Sequence, residues 1–156
     1  MANSYTQIVI HAVIVVKFRE RMIVEDIRDD FHKYIAGILQ SKGVHVYAVG
    51  GWLDHVHLLF ALPVTETLAQ LMSAVKASST KYMNSRFPAK NAFAWQNGYS
   101  AFSCSYAHRA NAVEYIKNQQ KHHAQVSFKQ EYFDWLKSEK FEVDDRYVFT
   151  FFDAKP

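Results

Sequence analysis

The chain has 156 residues, of which 49% are hydrophobic and 21% charged, with a net charge of +3 and a single cysteine, Cys104. That length suits one domain with a real core, and one thiol excludes both an internal disulfide and a cysteine metal cluster. No apolar run approaches the ~18 residues needed to span a bilayer, and Met1-Ala2-Asn3-Ser4-Tyr5 has no basic segment leading into an apolar one, so the expectation is a cytoplasmic protein without a signal peptide.

Residues 5–18 are rich in Ile and Val and predict a long first strand. Within it Ala12-Val13-Ile14-Val15-Val16 lacks alternation, which predicts a central strand buried on both faces. Ile27, Phe31, Tyr34, Ile35, Ile38 and Leu39 recur at helical spacing, giving a helix over residues 25–41 that Gly43 stops. A second strand covers residues 44–51, with Gly50-Gly51 as a break. The third covers residues 55–62 and ends at Pro63. Thr65 or Thr67 can cap a second long helix carrying Leu68, Leu71, Met72, Val75, Tyr82 and Met83. A loop over residues 88–98 leads to a fourth strand over residues 99–105. Asn111 can cap a third helix running to about His123, and Ser127 a fourth over residues 128–140; residues 141–156 show no clear period. The order β-α-β-β-α-β, then helices, predicts an α+β, ferredoxin-like fold. Its antiparallel sheet carries two helices on one face and leaves the other free for ligands or a partner chain.

His55 and His57 flank Val56 at the start of the third strand. Side chains alternate along a strand, so both imidazoles share a face. Val56, Leu58, Phe60 and Leu62 are large and apolar and should face the helices, so the histidines look out from the free face. Two adjacent imidazoles can hold one divalent cation, with Asp54 steering a histidine from behind. The plain alternative is a pair of surface or half-buried histidines.

A second constellation lies in Val113-Glu114-Tyr115-Ile116-Lys117-Asn118-Gln119-Gln120-Lys121-His122-His123. Tyr115, Gln119 and His122 fall on one helical face, while Ile116 and Val113 lie well round from it and can anchor the helix. A phenol ordinarily titrates near ~10. A nearby cation and basic residues would favour its phenolate as a nucleophile toward phosphorus. Gln119 offers a carbonyl oxygen that could complete a His-His-Gln site for Mg²⁺ or Mn²⁺. Around it, residues 76–123 hold seven basic side chains, Lys76, Lys81, Arg86, Lys90, Arg109, Lys117 and Lys121, against the single acid Glu114. That excess points to a polyanion, nucleic acid first, with Lys76, Lys81, Arg109, Lys117, Lys121 and His122 as candidate contacts; a solvated basic face is the alternative. Trp95, Tyr99 and Phe102 could stack on unpaired bases, although core packing is the commoner use of such residues. Cys104 reads as inert and buried.

These segments together resemble the single-tyrosine HUH transposases (TnpA) of the insertion sequence 200/605 family. Asp54-His55-Val56-His57 resembles the family's His-hydrophobic-His motif. Phe93-Ala94-Trp95-Gln96-Asn97-Gly98-Tyr99-Ser100-Ala101-Phe102-Ser103 is similar to its Trp-Gln-x-Gly-Tyr segment, and Tyr115 to His123 to its nucleophile helix. The tail from Glu131-Tyr132 to Asp145-Arg146-Tyr147 is also similar. Leu53 stands where the family has proline and Cys104 where it has valine. The resemblance implies Tyr115 as nucleophile, and His55, His57 and Gln119 as ligands of Mg²⁺ or Mn²⁺. It also implies hairpin-bearing single-stranded DNA as substrate and a homodimer whose active sites combine one subunit's histidines with the other's tyrosine helix.

Overall fold

Four strands and five α-helices make up the computed structural model, which describes residues 4–88 and 92–140. Lys90 and the tail from residue 141 onward fall outside them. β1 (Val9–Val15) is the Ile/Val-rich segment; it pairs with β3 (His55–Ala61) on one side and β4 (Ser100–Cys104) on the other. β2 (His45–Gly51) pairs with β3, and the order β2-β3-β1-β4 with every pair antiparallel is the ferredoxin-like arrangement. Gly50-Gly51 does not break β2. Both residues pair with β3, opposite His57 and Val56.

β1 is shorter than residues 5–18 suggest, because the chain leaves the sheet after Val16. Lys17–Arg19 form a 3-10 turn in which Phe18 and Arg19 adopt φ of 60° and 53°. α1 (Glu25–Ser41) matches the periodicity and ends before Gly43, whose φ of +75° is the left-handed turn that glycine accepts readily. Thr67, not Thr65, caps α2 (Leu68–Arg86). Its hydroxyl accepts from the Gln70 N–H while the Gln70 side chain accepts from the Thr67 N–H.

α1 and α2 cover one face of the sheet. Ile10, Ala12, Ile14, Val56, Leu58 and Phe60 meet Phe31, Ile35, Leu39, Leu71, Met72 and Val75 there in the main core. Each fully buried side chain of this size contributes roughly 1.5–3 kcal/mol. Phe93 and Trp95 close this core against Phe31, and the Trp95 indole N–H donates to Ser79 Oγ at 2.9 Å. Those two aromatics are therefore packing residues.

The opposite face is not free, and this corrects the sequence expectation. α3 (Arg109–Lys117), α4 (Gln119–His123) and α5 (Phe128–Ser138) lie over it. Ile116 shares a buried cluster with Val9 and Leu59. Phe128 and Tyr132 pack on Val13 and Val15, with Trp135 and Leu136 alongside. The reason is the alternation itself: β1 is apolar on both faces, and only the C-terminal helices remain to cover the second one. No helix among the described residues is long and apolar enough to cross a membrane.

Candidate active site

β3 runs between β2 and β1, so its side chains sit at the middle of the sheet. The register sets His55 against Val15 and His57 against Val13, on the face covered by α3–α5. Both imidazoles are completely buried. Burial of this kind needs hydrogen-bond partners, and each ring has them. His55 Nδ1 donates to Asp54 Oδ1 at 2.8 Å, and Arg19 Nε donates to Asp54 Oδ2 at 2.8 Å. Burial alone would raise the Asp54 carboxyl, but the bond from His55 and the Arg19 guanidinium hold it below its usual range. Asp54 thus steers His55 from behind, as its place in the sequence suggested.

His57 Nε2 lies 2.9 Å from Glu131 Oε1 on α5, and His57 Nδ1 lies 3.0 Å from His11 Nε2 on β1. Burial pushes His57 down to about 4 and His11 to about 3, so both are neutral near pH 7. Burial would raise Glu131, yet the imidazoles of His123 and His57 against its oxygens hold it well below the usual carboxylate range. The pocket therefore joins neutral imidazoles to a buried carboxylate, a set that attracts a cation.

The helix carrying Tyr115 is not continuous to His123. It breaks at Asn118 (φ −96°, ψ 18°), and α4 restarts with Gln119. The Gln119 side-chain amide N–H reaches the Tyr115 carbonyl at 3.3 Å. This fixes which way the amide points and turns Oε1 toward His55 Nε2 at 3.1 Å and His123 Nε2 at 2.9 Å. Tyr115 nevertheless shares the cluster, as the spacing predicted: its ring centroid is 5.6 Å from that of His57 and 5.3 Å from that of His122. Ile116 and Val113 anchor α3, also as predicted. Burial first, then the charge and hydrogen bond of Glu131, push the Tyr115 phenol well up. Protein groups alone thus keep the phenol protonated, the reverse of what the basic neighbourhood suggested. Positive charge added at the cluster would lower it.

Three of the cluster's side chains, His11, His123 and Glu131, were not singled out from sequence. His55, His57 and Glu131 form a set whose donor atoms all lie within 4.8 Å of one another, able to hold a metal ion. Glu131 Oε2 finds no hydrogen-bond partner among the described residues, nor does His122 Nε2, although the two lie 2.8 Å apart. A buried carboxylate ringed by imidazole nitrogens fits a cation. The signal for Glu131 was present: it is an acid within the apolar stripe of Phe128, Tyr132 and Trp135 on α5. His123 lay inside the quoted motif without being assigned a role.

The proposed nucleic-acid contacts divide between two sides of the sheet. Lys121 and His122 line an open polar groove with Asn111, Asn118, Gln125 and Tyr115, and Lys117 is exposed on the same helix layer. Arg109 lies over the rings of Tyr106 and Tyr47, with centroid distances of 3.3 and 5.8 Å. Lys76 and Lys81 sit on α2, across the sheet from the histidines. Lys81 is exposed, while the Lys76 ammonium donates to the carbonyls of Gln96 at 2.7 Å and of Gly98. Phe102 packs on Trp135, with centroids 4.6 Å apart, Tyr99 is partly exposed, and Cys104 is half-buried.

With this geometry, the comparisons with known proteins agree. Residues 4–119 match the family model described as "Transposase IS200 like". The chain is 25% identical over 118 residues to the ISDra2 transposase TnpA of Deinococcus radiodurans, covering 72% of this chain and 84% of that protein. Two solved structures share the fold. One is a transposase from Deinococcus radiodurans R1, with a TM-score of 0.60 and 24% identity over 76% of this chain and 96% of that one. The other is the REP-associated tyrosine transposase bound to a REP hairpin, with a TM-score of 0.59 and 14% identity over 100% of this chain and 96% of that one. From the buried histidine pair, the helical tyrosine beside it and a family match over most of its length, this chain belongs to the IS200-like transposase family, whose members act on DNA.

Proposed function

We propose that the chain cleaves and rejoins single-stranded DNA at hairpin-bearing element ends, with Tyr115 as the nucleophile. The observation that carries this is the Tyr115 phenol opening on a polar groove while its ring stands 5.6 Å from His57. The Tyr115 oxygen forms a bond to the scissile phosphorus, and the bond from phosphorus to the 3′-oxygen breaks. The phenol's proton is lost as the phosphotyrosine forms, and the leaving 3′-oxygen takes one up. The product is a 5′-phosphotyrosine with a free 3′-hydroxyl. Attack by another 3′-hydroxyl reverses the exchange and restores the phenol. One phosphoester is traded for another, so no ATP is needed.

His55, His57, Gln119 and Glu131 would hold Mg²⁺ or Mn²⁺. A cation bound there supplies Lewis acidity toward a phosphate oxygen and a template for its position. Lys121 and His122 would receive the backbone of the strand entering the groove, with Lys117 and Arg109 further along the same layer. Lys76 would keep the Gln96–Gly98 loop in place, and Lys81 would meet DNA only where a hairpin wraps round to α2. The hairpin in the REP-associated relative supports hairpin DNA as the substrate class. A relative that processes repeated hairpins without mobilising an element is the second reading, favoured by that relative's match to the whole of this chain.

Incubation with single-stranded hairpin DNA and Mn²⁺ should give a covalent adduct, seen as a retarded band on a denaturing gel. Tyr115→Phe should abolish the adduct and keep DNA binding, and His57→Ala should lose cleavage. Cleavage surviving in Tyr115→Phe would identify a hydrolase. Binding without cleavage in the unmodified chain would identify a passive single-strand-binding module. The phenol and the imidazoles meet here within one chain, which supports action in cis; the homodimer with shared sites rests on the family resemblance. Mixing Tyr115→Phe with His57→Ala chains separates the two. Restored adduct formation would establish sharing between subunits.

A further inference from the structure

His123 Nδ1 lies 3.0 Å from the carbonyl oxygen of Val126. A carbonyl only accepts, so Nδ1 is the donor here, and Nε2 is the ring nitrogen turned into the pocket. His55 is oriented the same way: its Nδ1 donates to the Asp54 carboxylate, which turns Nε2 into the pocket. Gln119 presents its oxygen, because its N–H₂ group faces the Tyr115 carbonyl. Two imidazole nitrogens and an amide oxygen therefore converge. The separations are 3.2 Å from His123 Nε2 to His55 Nε2, 2.9 Å from His123 Nε2 to Gln119 Oε1, and 3.1 Å from His55 Nε2 to Gln119 Oε1. A fourth, Glu131 Oε2, lies 3.1 Å from His123 Nε2. The His123 side chain is 3% exposed, so water does not relieve these contacts. Two imidazole nitrogens, an amide oxygen and a carboxylate oxygen this close together in a buried pocket form a donor set that suits a cation.

We propose that His123 is a third imidazole ligand of the cation site, which then offers three imidazole nitrogens with the Gln119 and Glu131 oxygens and selects a first-row transition ion over Mg²⁺. This deepens the function proposed above, since it defines the cation site of that activity. Imidazole nitrogen suits Mn²⁺ and its heavier neighbours, whereas Mg²⁺ keeps to oxygen and water. His123 also brings α4 to the sheet. A bound ion would tie β3, α4 and α5 together and hold Tyr115 and Gln119 on either side of the Asn118 break.

The test needs no DNA. Mn²⁺ added to the dialysed full chain is followed by loss of the free-ion signal in electron paramagnetic resonance. The unmodified chain should bind one ion, and Mg²⁺ should displace it only in large molar excess. His123→Ala should weaken Mn²⁺ binding by at least about tenfold, the lower end of what loss of a mere supporting residue costs. X-ray absorption of the unmodified chain loaded with Zn²⁺ should count three imidazoles, a readout independent of how the variant folds. Two imidazoles, unchanged Mn²⁺ binding in a folded His123→Ala chain, no ion bound by the unmodified chain, or displacement by equimolar Mg²⁺ would each overturn the proposal. A chain that binds Mn²⁺ through three imidazoles yet forms no DNA adduct would sink the transposase chemistry and leave this ligand set standing.

Discussion

Replacing Gly50 by Ala tests how the tyrosine helix is positioned. Gly50 lies on β2 opposite His57, and α3 crosses directly above it. A Cβ there would stand 2.7 Å from both the carbonyl oxygen and Cγ2 of Ile116, the residue after Tyr115, the proposed nucleophile. Ordinary contact begins at 3.4 Å, so α3 must withdraw by about 0.7 Å, the difference between those values. The carbonyl is backbone and cannot rotate away. Overpacking of this kind costs about 1–3 kcal/mol, offset by about 0.5–1 kcal/mol from replacing glycine within a strand. A net loss of roughly 1–2 kcal/mol follows, which lowers the urea midpoint by about 0.5–1 M for a slope near ~2 kcal/mol/M. Misplacing the phenol by this much should slow adduct formation on the order of 10- to 100-fold. The control is Gly37→Ala on α1, where an added Cβ meets nothing within 4 Å; it should gain about 0.5–1 kcal/mol and leave the adduct rate unchanged. A Gly50→Ala chain with normal stability and a normal adduct rate would show that the approach of α3 to β2 does not position Tyr115.

Asp54→Asn keeps the shape but removes the carboxylate between Arg19 and His55; a Mn²⁺ titration should show affinity falling by about 10–100-fold, and unchanged affinity would remove Asp54 from the site. Phe128→Ala should cost about 3–5 kcal/mol in urea unfolding, because Phe128 stacks on His55 with ring centroids 3.9 Å apart and is buried against Val13 and Val15; a smaller loss would show that α5 is loosely seated. His32 is pushed down to about 4, by burial first and the Arg28 charge second, against a small opposing pull from Asp29. The unfolded chain therefore binds the extra proton before the folded one does, and stability complete above pH ~6.5 should drain as the pH falls toward 4. His32→Gln should flatten that limb of a urea-midpoint profile between pH 7.5 and 5, and a parallel profile would refute the assignment.

The elements and the chemistry-bearing motifs were legible in the sequence, because each depends on local rules. The period of Ile27 to Leu39, the glycine at 43, the caps at Thr67 and Ser127 and the alternation around His55 and His57 act within a few residues. The ferredoxin-like arrangement followed from the element order β-α-β-β-α-β. What lay beyond reach were relations between segments far apart in the chain. Nothing local told that α3–α5 fold back over the histidine face, since a strand apolar on both sides does not say what will cover it. The buried Glu131 is 74 residues from its partner His57, and His123 is 68 from His55. The break at Asn118 likewise accompanies a long-range contact: Gln119 reaches the Tyr115 carbonyl with its amide while its oxygen turns to the imidazoles. Residue types and their spacing determined which groups could do chemistry. Only tertiary packing decided which of them share one dry pocket, because dehydration and mutual approach of donor atoms are properties of the assembled layers.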